Sequence, residues 1–145
     1  MRIHVKREGA PFHFVATGAR DHQVHMDEPP EKGGTGQGAS PMQMLIMAMG
    51  GCSGIDIVMI LEKQRQTIDS FEMEIDAERP PGVVGAPYHK VHAHYILTGE
   101  IDPAKARRAV QLSVDKYCGV SNTLRPTAEI TASVSVNGER FEVTR

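Results

Sequence analysis

The sequence predicts an α+β fold in which mainly antiparallel strands surround one long helix. Stretches that alternate apolar and polar residues, as half-buried strands do, recur at residues 71–78, 88–98 and 127–136 and throughout the first quarter of the chain. Between them, residues 44–61 form an apolar run long enough for a central helix. The order is strands, helix, strands, helix, strands, without an internal repeat. We therefore expect a single domain over residues 1–145 rather than alternating βαβ units.

Composition excludes several classes of protein. Of the 145 residues, 40% are hydrophobic and 23% are charged, a globular balance that argues against disorder. The net charge is −2 and no block of basic residues occurs, so we expect no binding to nucleic acid or to an anionic membrane. The N-terminus lacks the apolar core of a signal peptide, and two cysteines do not make a disulfide-rich scaffold. Together these features predict a cytoplasmic protein.

The first quarter of the chain has the pattern of three short strands followed by a loop. Ile3 and Val5 alternate with polar residues, a turn follows at residues 8–11, and Phe14 belongs to a second alternating stretch. A third such stretch precedes residues 27–40, which are rich in proline and glycine and are expected to form a mobile loop.

A long helix is predicted at residues 41–66. Ser40 and Gln43 form an S-x-x-Q capping box at its start, with proline at the first helical position. The middle of the helix is apolar nearly all round, so it must be covered on every side, whereas one sheet covers about one side. We therefore expect a second copy of the chain against it. Gly50 and Gly54, four residues apart, would let another helix come close.

The same apolar run reaches the length of a membrane span. A span is not expected, because three glycines weaken an isolated helix, Asp56 is costly in lipid, and the run has no flanking aromatic belt. The rest of the chain also has the pattern of a soluble protein.

Local signals mark the second helix and the last hairpin. Asp102 is an N-cap with Pro103 at the first helical position, and a stripe of apolar residues at helical spacing follows. Gly119 is expected to end this helix. Asn137-Gly138 is typical of a type I′ turn that joins the last two strands.

The two cysteines are the strongest candidates for chemistry. Cys52 lies in the middle of the long helix, and Cys118 lies at the end of the second. Two interpretations are open at this point: the cysteines are either two buried thiols that act as small apolar residues, or a redox pair. In a redox pair the roles would differ, since the negative end of a helix dipole disfavours a thiolate at Cys118. Asp56, one turn from Cys52, opposes ionisation there as well, so Cys52 would need a cation from elsewhere in the fold.

Two weaker patterns suggest other sites. His92 and His94 share one strand face, a spacing that could bind a metal, but no third ligand accompanies them. Residues 34–39 match G-x-G-x-x-A before a helix, although the buried strand that a dinucleotide site requires does not precede them. Neither cysteine belongs to a CxxC motif. We therefore expect no metal and no organic cofactor.

The segment S-P-M-Q-M-L…G-G-C that ends at Cys52, together with K-Y-C-G-V-S around Cys118, resembles the OsmC/Ohr superfamily. These are osmotically inducible and organic-hydroperoxide-resistance proteins, and the likeness is greatest to their YhfA-like branch. It spans the whole chain in order and spacing. It implies an intertwined homodimer in which the central helices of both subunits pack together, in agreement with a helix that is apolar all round.

The resemblance implies that Cys52 attacks an organic hydroperoxide and that Cys118 closes a disulfide with it, which an external thiol then reduces. It also assigns the catalytic arginine to a segment similar to residues 16–21, hence to Arg20. Where the peroxidase members carry glutamate, this chain has Met42, so we expect weak activity. The alternative on the same scaffold is a non-catalytic protein that binds a hydrophobic ligand at the dimer interface, in a pocket lined by flexible methionines.

Overall fold

The first strands form a small antiparallel sheet. The computed structural model describes residues 1–144, and the chain divides into two compact units, Met1–Leu45 and a second that begins at Ile46. The first unit holds three strands in the order β1-β2-β3, with β1 at His4–Gly9, β2 at His13–Thr17 and β3 at Gln23–Met26. One face of this sheet carries the exposed apolar side chains of Val5, Phe14 and Val24. A contiguous apolar face of this kind indicates an interaction surface.

The loop at residues 27–40 is organised around the buried carboxylate of Asp27. This carboxylate accepts hydrogen bonds from the backbone N–H groups of Glu28 (2.8 Å), Thr35 (3.1 Å) and Gln37 (3.2 Å). It also accepts one from the Thr35 hydroxyl, and this bond does most to lower the pKa of Asp27. Burial opposes the shift, and the backbone N–H groups add to it. The segment predicted to be a mobile loop thus has an internal scaffold of hydrogen bonds, and its mobility stays a prediction.

The glycines of this loop allow close packing of the backbone. A Cβ atom at Gly34 would overlap the carbonyl oxygen of Glu28, and one at Gly38 would overlap that of His25. This close approach accounts for the glycine pattern at residues 34–39 without a bound nucleotide.

The central helix, α1, spans Pro41–Lys63 and begins at the predicted capping box. The backbone N–H of Ser40 donates to Oε1 of Gln43 at 2.9 Å, and the N–H of Gln43 donates to Oγ of Ser40 at 3.4 Å. The helix ends three residues before the predicted residue 66.

Two glycines of α1 face the sheet of the same chain. A Cβ atom at Gly50 would lie 3.1 Å from two side chains of β4 (Thr67–Glu78), and one at Gly54 would lie 2.9 Å from Cε of Met73. The prediction that these glycines admit a second helix is therefore wrong, because they let α1 approach β4. At Gly51, in contrast, no atom of residues 1–144 outside the neighbouring helix backbone lies within 4 Å of the corresponding position.

The second sheet has the strand order β4-β5-β6-β7, and its β5 and β6 are parallel while the other neighbours are antiparallel. The remaining elements are β5 at Lys90–Glu100, α2 at Pro103–Leu112, a π-turn at Ser113–Tyr117, α3 at Gly119–Leu124, β6 at Glu129–Val136 and β7 at Glu139–Val143. The helical segments form a βαβ crossover between β5 and β6, a connection that the sequence order did not predict. The predicted local signals hold: Asp102 accepts the N–H of Ala104 at 2.8 Å, and Asn137 and Gly138 have the positive φ angles of a type I′ turn.

One side of α1 carries exposed apolar side chains. Met47, Ile55 and Met59 are 57%, 64% and 50% exposed, and we call them the open face of α1. By length and composition α1 could cross a membrane, with a mean hydropathy of 2.0 over 18 residues, and a third of that window is buried inside the chain. The core helix of a soluble protein passes the same test. The open face is therefore a surface that needs an apolar neighbour.

Candidate functional site

The structure brings the two cysteines together. Cys52 is half-buried in the middle of α1, and Cys118 is fully buried between the π-turn and α3. Both are free thiols, and Cys52 lies near enough to act directly on the ionisation of Cys118. A pair with one reachable and one shielded thiol can form a disulfide once the reachable sulfur is oxidised.

Cys118 caps the start of a helix rather than the end of one. Its sulfur accepts the backbone N–H of Ser121 at 3.4 Å, and its thiol faces the carbonyl oxygen of Met49 at 3.9 Å. The prediction that Gly119 ends a helix is wrong, because α3 begins there and Cys118 has the extended backbone of an N-cap. Burial raises the pKa of the Cys118 thiol, the hydrogen bonds of Ser121 lower it in part, and the neighbouring Cys52 thiol raises it again. This direction fits a resolving thiol, but its main cause is burial rather than a helix dipole.

A chain of buried polar groups lies beside the thiols. The hydroxyl of Tyr95 donates to Oγ of Ser53 at 2.9 Å, and the Ser53 hydroxyl donates to the carbonyl of Met49 at 2.8 Å. The Ser113 hydroxyl lies 3.1 Å from Oδ2 of Asp56 and 3.3 Å from the Ser53 carbonyl. The first residue of the π-turn is thereby attached to α1, the helix that carries Cys52.

Sequence reasoning missed the roles of Ser53, Tyr95 and Ser113. One signal was available, because Tyr95 faces inward on an alternating strand and a buried tyrosine hydroxyl usually needs a partner. Burial raises the pKa of Tyr95 to about 12, so its hydroxyl is a neutral donor across the physiological range. Ser113 could not be recognised, since its position depends on the π-turn.

Arg20 lies in the first unit, in a short turn at Ala19–Asp21 between β2 and β3. Its side chain is exposed and its backbone is left-handed, with φ of 59°. The role that the family resemblance implies for Arg20 stays a prediction.

The histidine pair on β5 is held by hydroxyl groups. His92 contacts Thr131 Oγ1 at 2.8 Å and Ser133 Oγ at 3.0 Å, and the two ring nitrogens of His94 contact Ser133 Oγ at 2.8 Å and Ser135 Oγ at 3.1 Å. Within residues 1–144 no group of three or more His, Cys, Asp or Glu side chains could hold a metal ion. Burial, followed by the charge of Arg140, lowers the pKa of His94. This cluster, which includes the bond from Arg140 Nη2 to Ser133 Oγ at 3.0 Å, is a polar network on the outer face of the sheet.

Comparison with known proteins decides the family. The model of the OsmC-like protein family matches residues 34–133, which include both cysteines and all of α1. The chain belongs to the OsmC-like protein family. Protein YhfA of Escherichia coli strain K12 is 40% identical over 125 residues, covering 85% of this chain and 89% of that protein. The YhfA-like resemblance inferred from the motifs is thus confirmed.

Solved structures confirm the fold of this OsmC-like chain. One structural genomics structure is 36% identical with a TM-score of 0.82, covering 94% of this chain and 98% of the other. The organic hydroperoxide resistance protein OsmC from Legionella pneumophila is 20% identical with a TM-score of 0.69, covering 94% and 98% of the two chains. The predicted α+β fold with a long central helix is therefore correct. Membership of this soluble fold family is also consistent with α1 as a core helix.

Proposed function

We propose that this protein reduces organic hydroperoxides with a redox pair formed by Cys52 and Cys118. The observation that carries the proposal is the position of a half-buried thiol beside a buried thiol whose pKa is raised by burial. The names of OsmC-fold structures, such as the organic hydroperoxide resistance protein from Legionella pneumophila, support this substrate class. A cycle that needs an external thiol as reductant suits a reducing cytoplasm, which is the location that we propose for the protein.

In the first step the Cys52 thiolate attacks the terminal oxygen of the hydroperoxide. The O–O bond breaks, the alcohol leaves after gaining a proton, and Cys52 becomes a sulfenic acid. The Cys118 sulfur then attacks the Cys52 sulfur, the S–O bond breaks, and water leaves with the thiol proton. An external thiol reduces the disulfide, so the cycle requires neither a metal nor an organic cofactor. We assign Arg20 the part of the cation that favours the thiolate and the departing alkoxide.

Peroxide consumption and thiol labelling test this order of events. Wild type with cumene hydroperoxide and dithiothreitol should consume peroxide, and Cys52→Ser should not. Cys118→Ser should still form a sulfenic acid on Cys52 that a dimedone-type trap captures. Label that appears first on Cys118, or peroxide consumption that survives Cys52→Ser, would contradict the assignment.

We propose further that the partner of the chain is a second copy of itself. Two apolar surfaces support this: the open face of α1 and the exposed face of the first sheet, with Val5, Phe14 and Val24. Such surfaces in one chain are rarely left in water. Light scattering at micromolar concentration should give twice the mass of 15.9 kDa, and a stable monomer would contradict the proposal.

The second candidate function is non-catalytic binding of a hydrophobic small molecule. The exposed thioethers of Met47 and Met59 favour it, because flexible sulfur-containing side chains adapt to apolar ligands. A fluorescent fatty-acid probe distinguishes the two functions. Binding that is equal in wild type and Cys52→Ser, together with no peroxide consumption, would support the binding protein.

A further inference from the structure

The segment between α2 and Cys118 is a single π-turn, Ser113–Tyr117. Its defining bond runs from the backbone N–H of Cys118 to the carbonyl of Ser113 at 2.8 Å, five residues back. A π-turn holds one residue more than an α-helical turn, is rare in proteins and is frequently found at functional sites. The extra residue places Ser113 against Asp56 and Ser53 of α1 while Cys118 reaches the neighbourhood of Cys52.

Two carbonyl groups of the π-turn accept hydrogen bonds from side chains in α3 and at its C-terminal cap. Nη2 of Arg125 donates to the carbonyl of Val114 at 2.6 Å, and Nδ2 of Asn122 donates to the carbonyl of Lys116 at 3.3 Å. The last carbonyls of any helix need such donors, and a guanidinium is the stronger of the two because its bond is charge-assisted. Arg125 also lies 3.9 Å from the carboxylate of Asp115, which orients it over the turn.

We propose that Arg125 is a positioning residue that holds the π-turn in register and so sets the geometry of Cys118 for disulfide closure. The inference rests on the proposed function, since closure is its second step: the Cys118 sulfur attacks the Cys52 sulfenic acid and water leaves. The Ser113 hydroxyl attaches the start of the turn to α1, the helix of Cys52, through its contact with Asp56. The Arg125 guanidinium attaches the turn to α3, the helix that Cys118 caps, through its bond to the Val114 carbonyl. These two contacts attach the turn that precedes Cys118 to the elements on both of its sides.

Arg125 affects the rate of disulfide closure, the second step, and not the rate at which Cys52 attacks the hydroperoxide, the first step. The attack of Cys52 on a hydroperoxide requires neither the π-turn nor the Cys118 sulfur. Without the guanidinium, the Val114 carbonyl loses its charged donor and the turn can shift by one residue toward an α-helical register. Such a shift rotates Cys118 away from the sulfur that it must attack, and the sulfenic acid on Cys52 lives longer.

The test compares the two steps in Arg125→Ala, Arg125→Lys and the matched control Arg108→Ala. Arg108 is an arginine of α2 whose Nη1 donates to Oε1 of Gln111 at 2.8 Å, a contact within α2 and outside the π-turn. A pulse of cumene hydroperoxide is followed by trapping of sulfenic acid for the first step and by loss of both free thiols for the second. We expect Arg125→Ala to leave the first rate within about twofold and to slow closure roughly tenfold, the equivalent of about 1.4 kcal/mol. Arg125→Lys should restore part of the closure rate, because an ammonium can donate to the same carbonyl.

Three results would contradict the proposed role of Arg125. Closure in Arg125→Ala at the wild-type rate, or an equal loss in Arg108→Ala, overturns the inference while the proposed function stands. A wild type that forms a Cys52 sulfenic acid but never a disulfide overturns both. If Arg125→Ala does not fold, Arg125→Gln decides instead, since it keeps the stem and a weaker donor. Wild-type closure in that variant overturns the inference.

Discussion

The hydrogen bond between Tyr95 and Ser53 gives a prediction whose magnitude follows from the structure. Both side chains are fully buried, and the Tyr95 hydroxyl donates to Ser53 Oγ at 2.9 Å. Tyr95→Phe removes the donor, but Ser53 keeps its own bond to the carbonyl of Met49 at 2.8 Å. The loss should therefore be that of one ordinary hydrogen bond, about 1 kcal/mol of the free energy of unfolding.

Ser53→Ala should cost more, because it takes away the acceptor of a buried hydroxyl. An unsatisfied buried donor costs about 1–3 kcal/mol, so we expect a loss of about 2 kcal/mol. In the Tyr95→Phe background the tyrosine hydroxyl is absent, so the loss of Ser53 Oγ leaves no buried donor without an acceptor at this position. There Ser53→Ala removes only a bond within its own helix, and alanine has the better helix propensity by about 0.5 kcal/mol. The same substitution should then be neutral or slightly stabilising.

Urea unfolding of the wild type, both single variants and the double variant measures this double-mutant cycle. Protein concentration must be equal throughout, because the stability of an oligomer depends on it. We expect a coupling free energy of about 2 kcal/mol. If Ser53→Ala costs the same in both backgrounds, the buried tyrosine hydroxyl has another partner and the reasoning is refuted.

Three further predictions follow from other sites. Gly54→Leu should lower the unfolding midpoint strongly, because its side chain would enter the packed face of β4. Gly51→Ala should lower it much less, because its Cβ atom would meet no side chain of the described residues within 4 Å; thermal denaturation compares the two variants. Met42→Glu should raise the rate of peroxide consumption in stopped-flow assays, because we expect a carboxylate at this position to orient the guanidinium of Arg20 through a bidentate contact. An unchanged rate would show that position 42 does not limit the reaction. The pKa of Asp27 is lower in the folded protein than its ordinary value of 3.8, so its carboxylate stabilises the fold above pH 3.8, and this contribution is lost as the pH falls through the folded pKa. Thr35→Val removes the hydroxyl that does most to lower this pKa, so an NMR titration of the variant should give a pKa closer to 3.8.

Local signals in the sequence predicted local structure correctly. The capping box of Ser40 and Gln43, the N-cap at Asp102 and the turn at Asn137-Gly138 each depend on residues within three or four positions of one another. Their geometry is set by short-range hydrogen bonds and allowed φ angles, so the sequence is sufficient. The pairing of the two cysteines was implied by the family resemblance, since the residues alone left two inert buried thiols equally open.

The errors concern features that depend on distant residues. An α1 that is apolar all round gives no indication of which side faces the sheet, and Gly50 and Gly54 were assigned to the wrong neighbour for that reason. The π-turn depends on donors from Asn122 and Arg125, which follow it in the chain, so the periodicity of α2 alone suggested one continuous helix.

The hydroxyl of Ser133 couples the tautomers of the two histidine rings on the outer face of the sheet. It has one hydrogen to donate and two lone pairs, and the Arg140 guanidinium donates to one of the lone pairs. His92 and His94 share what remains: between two neutral rings, one donates to the oxygen and the other accepts its hydrogen. If Nε2 of the His92 ring carries its hydrogen, Nδ1 of the His94 ring must accept, and the reverse holds as well. The two neutral imidazoles therefore cannot choose their tautomers independently for as long as the strands hold Ser133 in place.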